Sequence, residues 1–176
     1  MKDNMHYELT SMADTPETFS YAEDYSFWIP MIEYFFEYAD SFEIHCWKEE
    51  SAKFEDIINS LPNVEHDNDG QLLIASGQLN EKAKEFILTR SLDTKGRLKW
   101  FSLFLEKQGE PLFSSEHCGV ELIGYKLNAE QIAFLEKFFL EMFVGLSGEF
   151  DDAYIHSSDN YVSNFFTINY FITKSI

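Results

Sequence analysis

The strongest structural signal in this 176-residue chain is the segment Leu127–Gly145, LNAEQIAFLEKFFLEMFVG. Asn128 is a good helix N-cap, Gln131 completes the spacing of a capping box, and Gly145 suits a helix C-terminus. At 100° per residue the apolar side chains cover a wide arc. They are Ile132, Leu135, Phe138, Phe139, Met142 and Phe143. The segment therefore predicts a central buried helix over residues 128–145, nearly surrounded by protein, with Leu135, Phe139 and Met142 at its fully buried centre.

Three earlier segments also have helical spacing. Residues 26–38 place Pro30 in a first turn, and residues 49–61 end before Pro62, which prevents continuation. Residues 80–91 are ambiguous, because an N-cap and good helix formers are followed by EFILTRSL, which has the composition of a strand. We predict a helix for the first part of that segment.

The remaining ordered segments alternate with period two or are rich in aromatic and β-branched residues. Strands are predicted at 42–47, 64–66, 71–75, 98–106, 112–118, 119–126 and 161–173. Turns are predicted at 67–70, 93–96 and 108–111, where Asn, Asp, Gly and Pro are concentrated. Because these connections are short, hairpins are favoured over crossovers.

The whole chain, residues 1–176, is predicted to be a single α+β domain with helices packed on an antiparallel sheet, since no linker or internal repeat divides it. Residues 1–25 mix acids with Tyr and Phe without a clean period, and Pro16 interrupts any helix. We therefore expect an irregular acidic N-terminal arm there.

Charge is the most unusual property of the composition. The chain has 13 basic and 31 acidic residues, for a net charge of −18. Residues 1–50 hold twelve acids and two bases (−10), residues 51–100 hold eight and seven (−1), and the rest holds eleven and four (−7). Such a field repels nucleic acid and anionic membranes and attracts a basic protein. The alternative is that the acids only keep an aromatic-rich protein soluble.

The N-terminus does not have the pattern of a signal peptide, and no stretch approaches the ~20 apolar residues of a membrane helix. These features predict a soluble, cytoplasmic protein. Cys46 and Cys118 are then expected to be free thiols in a reducing compartment, where a cysteine usually acts as a small buried hydrophobe.

Metal, cofactor and catalytic motifs are weak. The dipeptides His45-Cys46 and His117-Cys118 suggest a tetrahedral metal site, but neighbours in a strand point to opposite faces and CxxC spacing is lacking. The DNDG turn lacks an EF-hand glutamate, because Gln78 stands at its twelfth position. Glycine-rich phosphate loops are missing too. We predict neither metal nor cofactor.

Residue types of a hydrolase occur in the stretch 114–117, Ser-Ser-Glu-His, and Asp151-Asp152 is a close carboxylate pair. Sequence neighbours rarely converge on one substrate atom, and close acidic pairs are expected by chance among 31 acids. The sequence therefore predicts a protein that is not an enzyme.

A binding or inhibitory module that captures a basic protein partner fits this profile best. The partner-binding residues are expected in the acidic loop before the last strand. They are Glu149, Asp151, Asp152, Tyr154, Asp159 and Tyr161. Bacterial immunity proteins, which are antitoxins of basic nuclease toxins, share this composition, though no motif of theirs is present. The alternatives are a homo-oligomeric structural protein and a hydrolase or transferase with an unrecognised site.

Overall fold

A computed structural model describes residues 3–11, 22, 25–144, 161–162 and 166–174 of the chain. The strands are β1 (Asp3–Ser11), β2 (Ser41–Trp47), β3 (Glu65–Asp69), β4 (Leu72–Gln78), β5 (Ser102–Lys107), β6 (Glu110–Glu116), β7 (Glu121–Leu127), β8 (Tyr161–Val162) and β9 (Phe166–Lys174). The helices are α1 (Trp28–Phe36), α2 (Ser51–Ser60), α3 (Glu81–Arg90) and α4 (Ala129–Val144). All nine strands form one antiparallel sheet in the order β3-β4-β2-β5-β6-β7-β1-β9-β8. The predicted α+β class with an antiparallel sheet is confirmed.

The N-terminus differs from its prediction, because residues 3–11 form β1 and not an irregular arm. This strand lies inside the sheet, between β7 and β9, and pairs with β9 along its whole length. Met5, Tyr7 and Leu9 alternate with polar residues and are buried. The period-two pattern was therefore present, but it spans only three apolar positions and is surrounded by acidic residues.

The core lies on one face of the sheet, beneath the helices, and α1 is its most enclosed helix. Met31, Ile32 and Phe35 have no exposed surface. The ring of Phe35 stacks on Phe113 of β6 with a centroid separation of 4.4 Å, which joins α1 to the centre of the sheet. No helix in the described ranges is both long and apolar enough to cross a membrane.

The helix predicted at 128–145 is present as α4, and its capping box is confirmed. The backbone N–H of Gln131 donates to Asn128 Oδ1, and the N–H of Asn128 donates to Gln131 Oε1, both at 2.9 Å. Leu135 and Phe139 are buried as predicted. The helix is less enclosed than predicted, because it buries one face only and Leu140 is 48% exposed. The Met142 side chain lies outside the described part.

The ambiguous segment near residue 80 is a helix. The side chain of Asn80 accepts a hydrogen bond from the backbone N–H of Ala83 at 3.1 Å, which caps α3 at its first turn. Ala83, Phe86 and Ile87 are buried against the core. Local capping and the 3.6-residue spacing therefore outweigh the strand-like composition of the last residues.

Several strand boundaries differ from their predictions; β4 extends to Gln78, and β6 begins at Glu110 within the predicted turn 108–111. The residues Asp67–Asp69 were expected in a turn, but they belong to β3, and the hairpin turns at Gly70. The central strand β5 begins at Ser102, not at residue 98. Residues 98–101 instead finish a loop in which Trp100 is buried against Phe86, with ring centroids 6.0 Å apart.

Candidate functional site

The two faces of the sheet differ, and β2 shows the difference most simply. Its residues Phe42, Ile44 and Cys46 are buried under the helices, while the alternate residues Glu43 and His45 are only partly buried. This alternation was predicted from the sequence. The open face is defined here as the side of the sheet that points away from the helical layer. In β1–β7 it is formed by the residues that alternate with the core-facing ones. In the part of the chain that the structure describes, no helix packs on it.

Carboxylates dominate the open face. They are Glu8, Glu43, Glu65, Asp67, Asp69, Glu106, Glu116 and Glu121. Where the strands alternate regularly, the other open-face positions carry apolar, aromatic, hydroxyl, amide or imidazole side chains and no Lys or Arg. Lys126 lies in the irregular end of β7 opposite Asn4, and its ammonium pairs with the Glu110 carboxylate at 2.6 Å. The regularly alternating part of the open face is therefore strongly negative.

The bases of residues 51–100 lie away from the open face. All seven of them belong to α2, α3 or the loop 91–101. Several are paired with carboxylates there: Asp56 lies 3.6 Å from Arg90 and 3.4 Å from Lys99, and Glu81 lies 3.3 Å from Lys84. In this part of the chain the acids of β3 and the bases therefore belong to different elements, which the totals along the chain did not reveal.

Three neighbouring strands bring carboxylates directly opposite each other. Glu121 of β7 is in register with Glu116 of β6 on one side and with Glu8 of β1 on the other. Like charges in such positions destabilise a sheet. Two histidines adjoin the middle carboxylate: His117 Nδ1 lies 2.9 Å and His6 Nε2 3.7 Å from the Glu121 oxygens. Acids in register on three strands therefore work against folding stability, and the two histidines partly offset this effect.

Aromatic rings lie among these carboxylates. Trp47 and Phe101 have ring centroids 4.6 Å apart, and Phe101 meets His117 edge-on at 5.2 Å. On the adjacent strands the rings of His45 and Phe104 are 4.9 Å apart, and His45 Nε2 lies 2.7 Å from the Glu43 carboxylate. Aromatic residues are enriched in protein interfaces, whereas Asp and Glu are depleted there, so it is the rings that resemble an interface.

The corner between β6 and β7 has a strained backbone. His117, Cys118 and Gly119 have consecutive φ values of 52°, 58° and 81°. Left-handed conformations cost non-glycine residues about 1–2 kcal/mol each, so the surroundings must fix this turn. The N–H of Cys118 donates to the Phe101 carbonyl at 2.8 Å, and the Tyr25 hydroxyl donates to the Cys118 carbonyl at 2.7 Å. The turn leaves the His117 side chain 53% exposed beside the open face.

The cysteines lie in the core, apart from this surface. Cys46 and Cys118 are both buried free thiols. Burial, reinforced by the Glu50 carboxylate, raises the pKa of Cys46 to about 12, which leaves it protonated and unreactive at neutral pH. Among the described residues, no three His, Cys, Asp or Glu side chains are grouped so that they could hold a metal ion.

The hydrolase-like stretch 114–117 does not assemble a relay. Ser114 is fully buried and its hydroxyl donates to Glu116 Oε1 at 2.7 Å, while His117 contacts Glu121. A cavity of about 200 Å³ lies elsewhere, between the end of α2, β4 and the start of α3, with Phe42, Val64 and Asn80 among its lining residues. It contains no histidine, cysteine or carboxylate.

Most of the predicted partner-binding residues lie outside the described part of the chain. These are Glu149, Asp151, Asp152, Tyr154 and Asp159. Tyr161 is the first residue of β8 and is in register with Ile168 of β9. The sequence reasoning missed the open face, although its signal was present. Acids occupy alternate positions within strands, as Glu65, Asp67 and Asp69 do in β3.

No protein-family model matches this chain, and neither curated proteins nor solved structures match it. The geometry of the open face is therefore the basis for assigning a function.

Proposed function

We propose that this protein is a non-enzymatic binding module that captures a basic protein partner through its open face. The observation that carries the proposal is that eight carboxylates and no Lys or Arg occupy the regularly alternating open-face positions of β1–β7. A basic surface is attracted to such a face, and complementary charge accelerates encounter. Nucleic acid and anionic membranes are repelled by the same field.

The rings of Trp47 and Phe104 on the open face, with Phe101 of the preceding loop at its border, supply the second component of binding. Charge mainly increases the association rate, whereas buried aromatic contacts slow dissociation. Trp47, Phe101 and Phe104 are half-buried and retain surface that a partner can cover. By contrast, Trp28 and Trp100 are buried in the core. We assign the anchoring contacts to the first three residues.

An inhibitory role follows naturally from this mode of binding, because a stoichiometric acidic protein that covers a basic active surface blocks it. A basic nuclease toxin in the bacterial cytoplasm is a partner of this chemistry, and the protein would then act as an immunity protein or antitoxin. The acids at positions 149–159 and the ring of Tyr161 remain candidates for an additional contact in this proposal.

The two alternative functions are less well supported. A symmetric homo-oligomer formed through the open face would place Glu116, Glu121 and their neighbours against the same carboxylates of a second copy, which is unfavourable. A hydrolase would need a nucleophile near a histidine. In the described part of the chain, His45 and His117 instead contact Glu43 and Glu121.

Two matched variants test the proposal by affinity capture from an extract of the native host. The open-face variant carries Glu43→Gln, Glu106→Gln, Glu116→Gln and Glu121→Gln. The helix-side variant carries Glu33→Gln, Glu37→Gln, Glu55→Gln and Glu85→Gln, at exposed positions of α1–α3 or adjoining α1. Wild type and the helix-side variant should retain a basic protein at fixed stoichiometry, and the open-face variant should retain much less.

Two results would contradict the proposal. One is an equal yield of the captured protein with both variants, since the open face would then be irrelevant. The other is turnover of a substrate by the purified protein without any partner.

A further inference from the structure

Strand β3 forms one edge of the sheet. It pairs with β4 in regular register from Glu65 to Asp69, and no other strand of the described chain pairs with its outer side. All five of its residues are exposed, so its outer edge is accessible. An accessible edge presents backbone N–H and C=O groups on which a further extended segment can be added.

The protections of β3 are its charged side chains and its short length. The strand contains no proline or lysine, and its pairing with β4 has no bulge. What it does contain is acid at every second position, with Glu65, Asp67 and Asp69 on the open face. Successive carboxylates are therefore about 7 Å apart, the repeat of side chains on one face of an extended strand.

From this edge and its charge pattern, we propose that β3 accepts an extended basic segment of the partner as an additional antiparallel strand. The inference rests on the proposed function and names the form in which one part of the basic partner binds. Lys or Arg at alternate positions of the added strand would lie opposite the three β3 carboxylates, and opposite charges across a strand pair are stabilising.

A second copy of this chain is a poor occupant of the same edge. Pairing β3 with another β3 would place acids against acids, which is destabilising. The charges that block self-pairing therefore select a basic strand. The outer backbone N–H of Asn68 donates to Asp67 Oδ1 at 2.7 Å, and an added strand has to displace this local contact.

Labelled synthetic peptides test this inference on the full-length protein at low ionic strength. The first peptide alternates Lys with Thr over eight residues. The second has the same sequence but is N-methylated at alternate backbone nitrogens along one edge, and the third is its isomer N-methylated along the other edge. Methylation preserves charge and removes strand hydrogen bonds. The first peptide should bind and slow hydrogen exchange of backbone amides in residues 65–69, and at least one methylated peptide should bind about tenfold more weakly.

Matched protein variants complete the experiment. Glu65→Gln, Asp67→Asn and Asp69→Asn together should weaken binding of the first peptide by about tenfold. Glu33→Gln, Glu37→Gln and Glu55→Gln change the net charge equally on the helix side and should have little effect. Three results would overturn the β3 inference. The three peptides could bind with equal affinity, the first peptide could fail to bind, or both variants could lose the same binding affinity. Capture of the native partner by the open-face and helix-side variants decides the proposed function separately.

Discussion

The two faces of the same strands differ in packing and in charge. On the helical face, side chains such as Phe35 and Phe113 stack in a closed core, and bases pair with acids around the helices. On the open face, carboxylates of neighbouring strands lie opposite each other, and rings remain partly exposed. The first arrangement stabilises the fold, and like charges in the second destabilise it locally. We propose that the second surface serves a basic partner.

The largest expected contrast concerns one residue type on the two faces. Phe35→Ala should cost about 3–5 kcal/mol of unfolding free energy, because the ring is fully buried against Phe113. Phe104→Ala on the open face should cost about 1–2 kcal/mol, because its ring is already partly exposed. Urea unfolding of both variants measures the difference. Similar losses in both would mean that the open face is as much a core as the other.

A second contrast involves the neighbours His45 and Cys46, which point to opposite faces. The folded chain keeps the Cys46 thiol protonated because burial raises its pKa from 9.0 to about 12. The stabilisation that this thiol contributes is therefore complete below pH 9 and is lost as the pH rises toward 12. Wild type should lose about 1.4 kcal/mol more per pH unit in that window than Cys46→Ala.

Unfolding titrations of the two proteins between pH 8 and pH 11 check this prediction. Parallel stability curves would show that the thiol is solvated in the folded chain and that the core near β2 is looser than described.

Removing a polar contact should also cost more unfolding free energy on the helical side than on the open face. Asn128→Ala removes one half of the reciprocal capping box of α4 and should cost about 1 kcal/mol. Glu43→Gln disturbs only the partly exposed contact with His45 and should change stability by about 0.5 kcal/mol or less. Thermal unfolding compares them, and the reverse order would place the structural polar contacts on the open face.

The smallest stability effect is expected for the open-face variant with its four Glu→Gln changes. Removing charge where Glu116 faces Glu121 relieves repulsion, so its unfolding free energy should stay within about 0.5 kcal/mol of wild type or rise slightly. A marked loss of stability would show that these carboxylates hold the sheet together and are not reserved for a partner.

Local signals made much of the fold predictable from the sequence. The capping box at Asn128, the alternation in β2 and the proline after α2 each act within a few residues, and each led to the right element. The environment of α4 was not predictable in this way. Its wide apolar arc suggested enclosure, but α1 occupies the centre of the core and leaves Leu140 of α4 exposed.

The open face was harder to predict because it depends on register between distant strands. Glu8, Glu116 and Glu121 adjoin only once β1, β6 and β7 are aligned, and β1 itself was hidden among acidic residues. Counting charge along the chain pointed to the N-terminal fifty residues. Strand pairing instead brings acids from distant segments onto one face, a property that the linear sequence does not display.

The association rate with the captured basic partner, measured by stopped flow as a function of salt, tests the central claim most directly. Wild type and the helix-side variant should associate fast and slow down steeply as salt screens the field. The open-face variant should associate at least about tenfold more slowly at low salt, with a flatter salt dependence and a smaller change in dissociation. Identical rates and salt slopes for the two variants would contradict the claim that the open face steers the partner.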